Sequence, residues 1–183
     1  DRPRGSGVVF VYSGQGSQWA GMGRRLLAEE PAFAAAVAEI EPDFVAQAGF
    51  SLHEVLAGGQ PVVGIDRIQP VLVGVQLALT ALWRSYGVEP VAVIGHSMGE
   101  VTAAVVAGAL TAAEGLQVIA TRSRLMARLS GQGAMALVEL DAQAAEALIA
   151  DHPEVTVAVH ASPRQTVIAG PPDQVDVLVA RVA

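Results

Sequence analysis

The chain has no cysteine. That removes disulfides, thiolate metal sites and cysteine nucleophiles together, and it suits a reducing cytoplasm. Aromatic residues are scarce at 4% and charged ones make up 16%, yet 52% of the 183 residues are hydrophobic. A disordered chain shows the reverse balance, so a buried core is expected, in one domain or a domain with a subdomain. Basic clusters are missing too. The 11 Lys+Arg are scattered among 18 Asp+Glu, for a formal net charge of -7, and offer no stripe to a nucleic acid or an anionic membrane. The uncharged run Val101 to Ala113 is too short to cross a bilayer, so membrane insertion is not expected. The opening DRPRGSG lacks the apolar centre of a signal peptide, and a chain beginning at Asp1 reads as cut from something longer. There is no internal repeat and no low-complexity linker.

What is present alternates strands with helices. VVFVY (8–12) and VAVIG (91–95) read as fully buried strands. Helical patterns are expected over 18–28, 32–47 and 68–86, and from Gly99, which argues a parallel α/β sheet. Thr111 and Glu114 stand in capping-box spacing at the head of a helix that should run to Gly131. Beyond it the texture changes: AMALVEL, a short helix over 141–150, VTVAVH, TVIAG and a last helix from Pro172. That order is a ferredoxin-like βαββαβ unit without its final strand. The expected division is residues 1–130 and residues 131–183.

The sharpest chemical signal is VAVIGHSMGE. A buried strand running into Gly95-His96-Ser97-Met98-Gly99, with a helix directly after, is the strand-turn-helix setting of a G-x-S-x-G nucleophile elbow. A plain turn is the bland reading, and the flanking elements weigh against it. Ser97 would project at a helix N-terminus, where backbone N–H groups favour developing negative charge. The Met98 N–H supplies one oxyanion donor, and a second must come from another loop. SGQGSQ (13–18) follows the other strand and would reach the same sheet edge, which makes the Gln15 N–H the natural second donor, with glycines at 14 and 16 clearing its approach. A dinucleotide loop fits less well, because the spacing is not G-x-G-x-x-G.

Arg122 shares a helix face with Val118, Ile119, Leu125 and Met126, while Gln117, Thr121, Arg124 and Arg128 form a polar stripe. A cation placed with the apolar side needs an anion. Either Glu100 or another acidic side chain fills that place, or a substrate carboxylate does, gripped by two parallel hydrogen bonds.

Taken in order, GQGSQWAGMG, IQPVLVGVQLAL, GHSMGE, TRSRLM and GAMALVEL resemble the malonyl-CoA:acyl carrier protein transacylase family, in particular the acyltransferase domain of a type I modular polyketide synthase. The likeness covers essentially all of the chain. VAVHASPRQTVIAG departs from the usual pattern, with Ala161-Ser162 where Asn-Gly is common, and is similar to lipid-building synthases of the mycobacterial phthiocerol type. The resemblance implies a large α/β-hydrolase-like subdomain with a ferredoxin-like small one, truncated here. It implies Ser97 as the acylated nucleophile, Gln15 and Met98 as oxyanion donors, and Arg122, with His96 beside it, as the substrate-binding set. It implies ping-pong transfer of a carboxylated extender unit, methylmalonyl ahead of malonyl, from coenzyme A to the phosphopantetheine of an acyl carrier protein, among neighbouring synthase domains in the cytoplasm. No metal or bound cofactor is implied. The family's general base is a histidine well downstream, so it is expected to lie outside this chain. His96 does not replace it, because the residue before an elbow serine is held by the turn with its side chain directed elsewhere, and His53, His152 and His160 are read as surface or core residues. A serine hydrolase or thioesterase, and a non-catalytic docking fragment, are the rival readings.

Overall fold

β1 (Val8–Tyr12) and β2 (Pro90–Gly95) pair in parallel, with Val9 opposite Ala92 and Tyr12 opposite Gly95. The computed structural model describes residues 7–182. Between the two strands run α1 (Arg24–Glu29), α2 (Pro31–Ala48), α3 (Leu52–Gly58) and α4 (Ile65–Ser85). After β2 come α5 (Gly99–Val106) and α6 (Ala112–Ala127). These elements form one compact unit that ends at Ala127, and a second begins at Arg128.

The core of the first unit is built mainly from helices. Phe33, Val37, Ile40 and Phe44 recur at helical spacing along α2 and meet Val71, Leu72, Val75 and Ala78 of α4, with Leu116 and Ile119 of α6 closing the cluster. Leu52 of α3 fills the space beside Gly74, where a Cβ would stand 2.6 Å from the Leu52 Cδ2. α4 holds an uncharged stretch, residues 68–83, that is longer than Val101 to Ala113. By length and composition it would reach across a bilayer, but 56% of that apolar window is buried inside the protein, as befits a core helix.

Several expectations shift. β1 and β2 are not buried strands: Val11 is 69% exposed and Val91 65%. Among the described residues the sheet they form has two strands, so each keeps an open edge, and the exposed valines stand on parts of its faces that nothing covers. The helix expected from residue 18 starts at Arg24, because Gly21 and Gly23 both hold the left-handed conformation (φ 81° and 79°). α3 lies in a stretch without an assigned element, although Ser51 caps it by accepting from the Glu54 N–H at 2.9 Å. α4 begins three residues before the expected start, with Pro70 inside it. α6 ends at Ala127, short of Gly131.

The second unit has β3 (Ala134–Val138), α7 (Ala142–Ile149), β4 (Thr156–Ser162), β5 (Gln165–Gly170) and α8 (Pro172–Val182). Its sheet runs in the order β3-β5-β4, with both pairs antiparallel. Val138, Val155, Ile168 and Leu178 make its core.

At the head of α6, Thr111 and Glu114 form a reciprocal box: the Thr111 N–H donates to Glu114 Oε2 at 2.8 Å, and the Glu114 N–H donates to Thr111 Oγ1 at 3.2 Å. The backbone bond first, then the Thr111 hydroxyl, holds the Glu114 carboxyl below its ordinary value. A carboxyl lowered on folding stabilises the fold above its ordinary range, and that contribution disappears as pH falls through the lowered value. Unfolding measured against pH should therefore lose part of its acid-side slope in Glu114→Gln. Phe44, with no exposure and in edge-to-face contact with Phe50, should cost about 3–5 kcal/mol as Phe44→Ala in urea titration.

Candidate active site

β2 ends at Gly95, and the chain turns at once. The His96 N–H donates to the Tyr12 carbonyl at 2.9 Å, which prolongs the β1-β2 pairing by one bond. Ser97 then takes φ 54°, the one positive φ at a non-glycine position among the described residues. Such a conformation costs on the order of 1–3 kcal/mol and persists only where surrounding contacts impose it. Here they do. A Cβ on Gly95 would strike the backbone of Gly99 and Glu100, and one on Gly99 would strike the Tyr12 carbonyl and lie 2.9 Å from the Ser13 oxygen. Hydrogen bonds from the Gly99 N–H to His96 (2.9 Å) and from the Glu100 N–H to Ser97 (3.0 Å) start α5 directly after the serine.

The loop after β1 folds against this turn. A Cβ on Gly14 would lie 3.1 Å from the His96 Nδ1 and 3.5 Å from the Ser97 Cβ. Gly16 has φ 121°, and its N–H is taken by Gln18 Oε1 at 2.9 Å. Neither the Gln15 N–H nor the Met98 N–H meets a backbone acceptor among the described residues. Met98 itself has no exposure, so its side chain belongs to the core while its amide lies in the turn.

Arg122 arrives from α6. Its NH1 donates to Gln69 Oε1 at 2.7 Å and its NH2 to Ser97 Oγ at 3.4 Å. Gln69, only 2% exposed, passes the contact on by donating from Nε2 to Gln15 Oε1 at 3.2 Å. Glu100 does not fill the anion's place: the ion pairs among the described residues are Arg25–Glu29 and Arg84–Glu89. The apolar neighbours of Arg122 need correcting as well. Ile119 is buried, but Val118 is 45% and Leu125 52% exposed, so that face of α6 is largely open rather than core.

Behind the turn lies a set of polar contacts. Gln76 of α4 donates from Nε2 to the Ser13 carbonyl at 2.9 Å and accepts at Oε1 from the Thr102 hydroxyl at 2.6 Å. Thr80 spends its proton on the Gln76 carbonyl at 2.8 Å, so the Tyr12 hydroxyl is the donor in the 2.8 Å contact with Thr80 Oγ1. Burial pushes the Tyr12 hydroxyl above its ordinary value, against a smaller opposing effect of the Arg84 charge.

The structure thus brings Ser97, Met98, Gln15, His96 and Arg122 together. It puts His53 elsewhere, at the head of α3 with its N–H on Glu41 Oε2 at 3.1 Å, and His152 and His160 in the second unit. Among the described residues no group of three His, Asp or Glu could hold a metal ion. Gln69 and Gln76 are the residues sequence reasoning passed over. Their signal is there: with Thr80 they recur at seven and four residues, polar positions on one face of an apolar helix.

Comparison with known proteins gives the family of the chain. Residues 9–183 match the family model described as the acyl transferase domain, and the chain belongs to that family. It is 78% identical over 179 residues to one of the phenolphthiocerol/phthiocerol polyketide synthase proteins of Mycobacterium tuberculosis (strain CDC 1551 / Oshkosh), covering 98% of this chain and 10% of that protein. The solved acyltransferase domain of the polyketide synthase PpsC of Mycobacterium tuberculosis superposes with a TM-score of 0.93 at 73% identity, over 97% of this chain and 54% of that one. A loading acyltransferase from the avermectin modular polyketide synthase gives a TM-score of 0.86 at 40% identity, over 96% and 57%. The chain therefore spans about a tenth of the curated synthase protein and about half of the solved domains.

The turn's steric demand makes a direct prediction. Gly99→Ala should force the α5 start away from Tyr12 and Ser13, at a cost of about 1–3 kcal/mol or more. The lowered midpoint should appear in thermal unfolding, whereas Gly49→Ala, where an added Cβ meets nothing within 4 Å, should cost less despite its φ of 81°.

Proposed function

We propose that Ser97 accepts a carboxylated acyl group from a coenzyme A thioester and passes it to the phosphopantetheine thiol of an acyl carrier protein, within a polyketide or lipid synthase. The observation that carries this reading is the guanidinium of Arg122, held by a neutral amide and by the Ser97 hydroxyl, with no carboxylate partner among the described residues. A substrate carboxylate would complete it with two charge-assisted hydrogen bonds while setting the thioester beside Ser97.

In the first half-reaction Ser97 Oγ attacks the thioester carbonyl, and its proton passes to a general base. Negative charge gathers on the carbonyl oxygen between the Gln15 and Met98 N–H groups. Collapse of the adduct breaks the C–S bond, and the leaving thiolate takes up the proton. The carrier thiol then repeats the sequence in reverse on the serine ester, regenerating Ser97. The base is assigned by family resemblance to a histidine outside these 183 residues. His96, its ring over Gly14, is assigned to the wall of the acyl site. An acetyl group would leave the Arg122 charge without its anion, which favours carboxylated units. Methylmalonyl is placed ahead of malonyl on similarity along the whole chain.

The same reading assigns residues 1–130 to an α/β-hydrolase-like subdomain and residues 131–183 to a ferredoxin-like one. The sheet order β3-β5-β4 with α7 and α8 supports the second assignment, being that of a βαββαβ unit without its last strand. It also implies a cytoplasmic synthase, with the other synthase domains as neighbours.

Intact mass measurement of the acyltransferase domain containing this chain, after incubation with malonyl-, methylmalonyl- or acetyl-CoA, tests the proposal. A carboxyacyl adduct should form and vanish in Ser97→Ala. In Arg122→Ala, carboxyacyl loading should fall by roughly 1.5–3 kcal/mol, about ten- to a hundredfold, while acetyl loading changes little. Rapid release of free acid would point to a hydrolase instead, and an unlabelled serine to a docking role.

A further inference from the structure

The two proposed oxyanion donors stand on different segments, Gln15 on the loop after β1 and Met98 at the head of α5. Their spacing decides whether one oxygen can accept from both, because such donors act only when held in place before charge develops. Gly99 sets a lower limit to that spacing by steric contact with Tyr12 and Ser13. Contact alone sets no upper limit. An attractive tie has to hold the loop and the helix together.

We propose that Gln76 is that tie, a positioning residue for acyl transfer that acts through both donor segments. Its side-chain amide spans them. Nε2 donates to the carbonyl of Ser13, two residues before Gln15, and Oε1 accepts from the hydroxyl of Thr102, one helical turn after Met98. The orientation of the amide is forced, since a carbonyl only accepts and so must face the NH2 end. Thr102 has no exposure, so without Gln76 its hydroxyl would be left buried with no acceptor. Gln76 is itself fixed from behind, where Thr80 donates to its backbone carbonyl and accepts from the Tyr12 hydroxyl. The bracket is neutral throughout. A Glu at position 76 would lack the donor and turn a carboxylate oxygen toward the Ser13 carbonyl.

The inference rests on the acyl-transfer reading and concerns the rate of Ser97 acylation rather than the grip on the carboxylate. The test uses the acyltransferase domain containing this chain, wild type and as Gln76→Ala, Gln76→Glu, Thr102→Val, Thr102→Ser and the Gln76→Ala/Thr102→Val pair. Single-turnover acylation of Ser97 by malonyl- and methylmalonyl-CoA is followed by quenched mass measurement and normalised to the serine that a fluorophosphonate labels. Expected is a fall of about tenfold in the saturating rate for Gln76→Ala and for Thr102→Val, with the half-saturating concentration unchanged. Gln76→Glu should fall further, Thr102→Ser should recover most of the rate, and the double variant should lose little more than the larger single loss, because both changes break one bond. Lower melting temperature with an unchanged rate per labelled serine would overturn the proposal, as would additive losses or an effect confined to half-saturation. Wild-type protein that forms no Ser97 adduct would overturn the acyl-transfer reading, and this proposal with it.

Discussion

No side chain fits between the carbonyls that end β1 and the first turn of α5. That steric constraint, imposed at Gly99 by Tyr12 and Ser13 and at Gly95 by the turn's own backbone, governs the local geometry. With the helix start pressed onto the strand end, the chain has three residues in which to leave a sheet and begin a helix. Ser97 absorbs the change by taking a left-handed conformation that an L-residue does not choose freely. The single bond from the His96 N–H to the Tyr12 carbonyl marks where pairing stops. The place of the serine is thus a consequence of backbone packing.

Charge is handled with similar restraint. Arg122 could have been matched by a carboxylate, and a fixed pair would have left little attraction for an incoming anion. Instead Gln69 satisfies one guanidinium nitrogen with an amide oxygen and hands its own NH2 to Gln15. An amide meets the hydrogen-bonding requirement and leaves the positive charge intact. On the proposed mechanism this separates two tasks that one glutamate would have merged: fixing the cation and neutralising it.

Much of this was legible in the residues and some was not. The turn could be read because glycine, serine and glycine at fixed spacing after a β-branched run have few other uses, and the Thr111/Glu114 box because both partners lie within four residues. Burial of β1 and β2 could not be read. An apolar strand records that something covers it, not that the covering element lies in the same stretch of chain, and Val11 and Val91 stand largely open. The partner of Arg122 was undecided for a related reason: a helix face tells which residues point together, not which residue 53 positions away meets them. α3 was missed through brevity, since its seven residues carry too few apolar positions to establish a period.

Met98 ties two otherwise separate matters together. Its side chain has no exposure, and its N–H stands in the turn beside Ser97 with no backbone acceptor among the described residues. Reacting groups commonly sit on loops carried by a rigid scaffold, at some remove from the side chains that fill the core. At position 98 that insulation is missing. A change in the volume of the core would shift the backbone amide beside Ser97, so that on the proposed mechanism selection for turnover would also act on how the interior is filled.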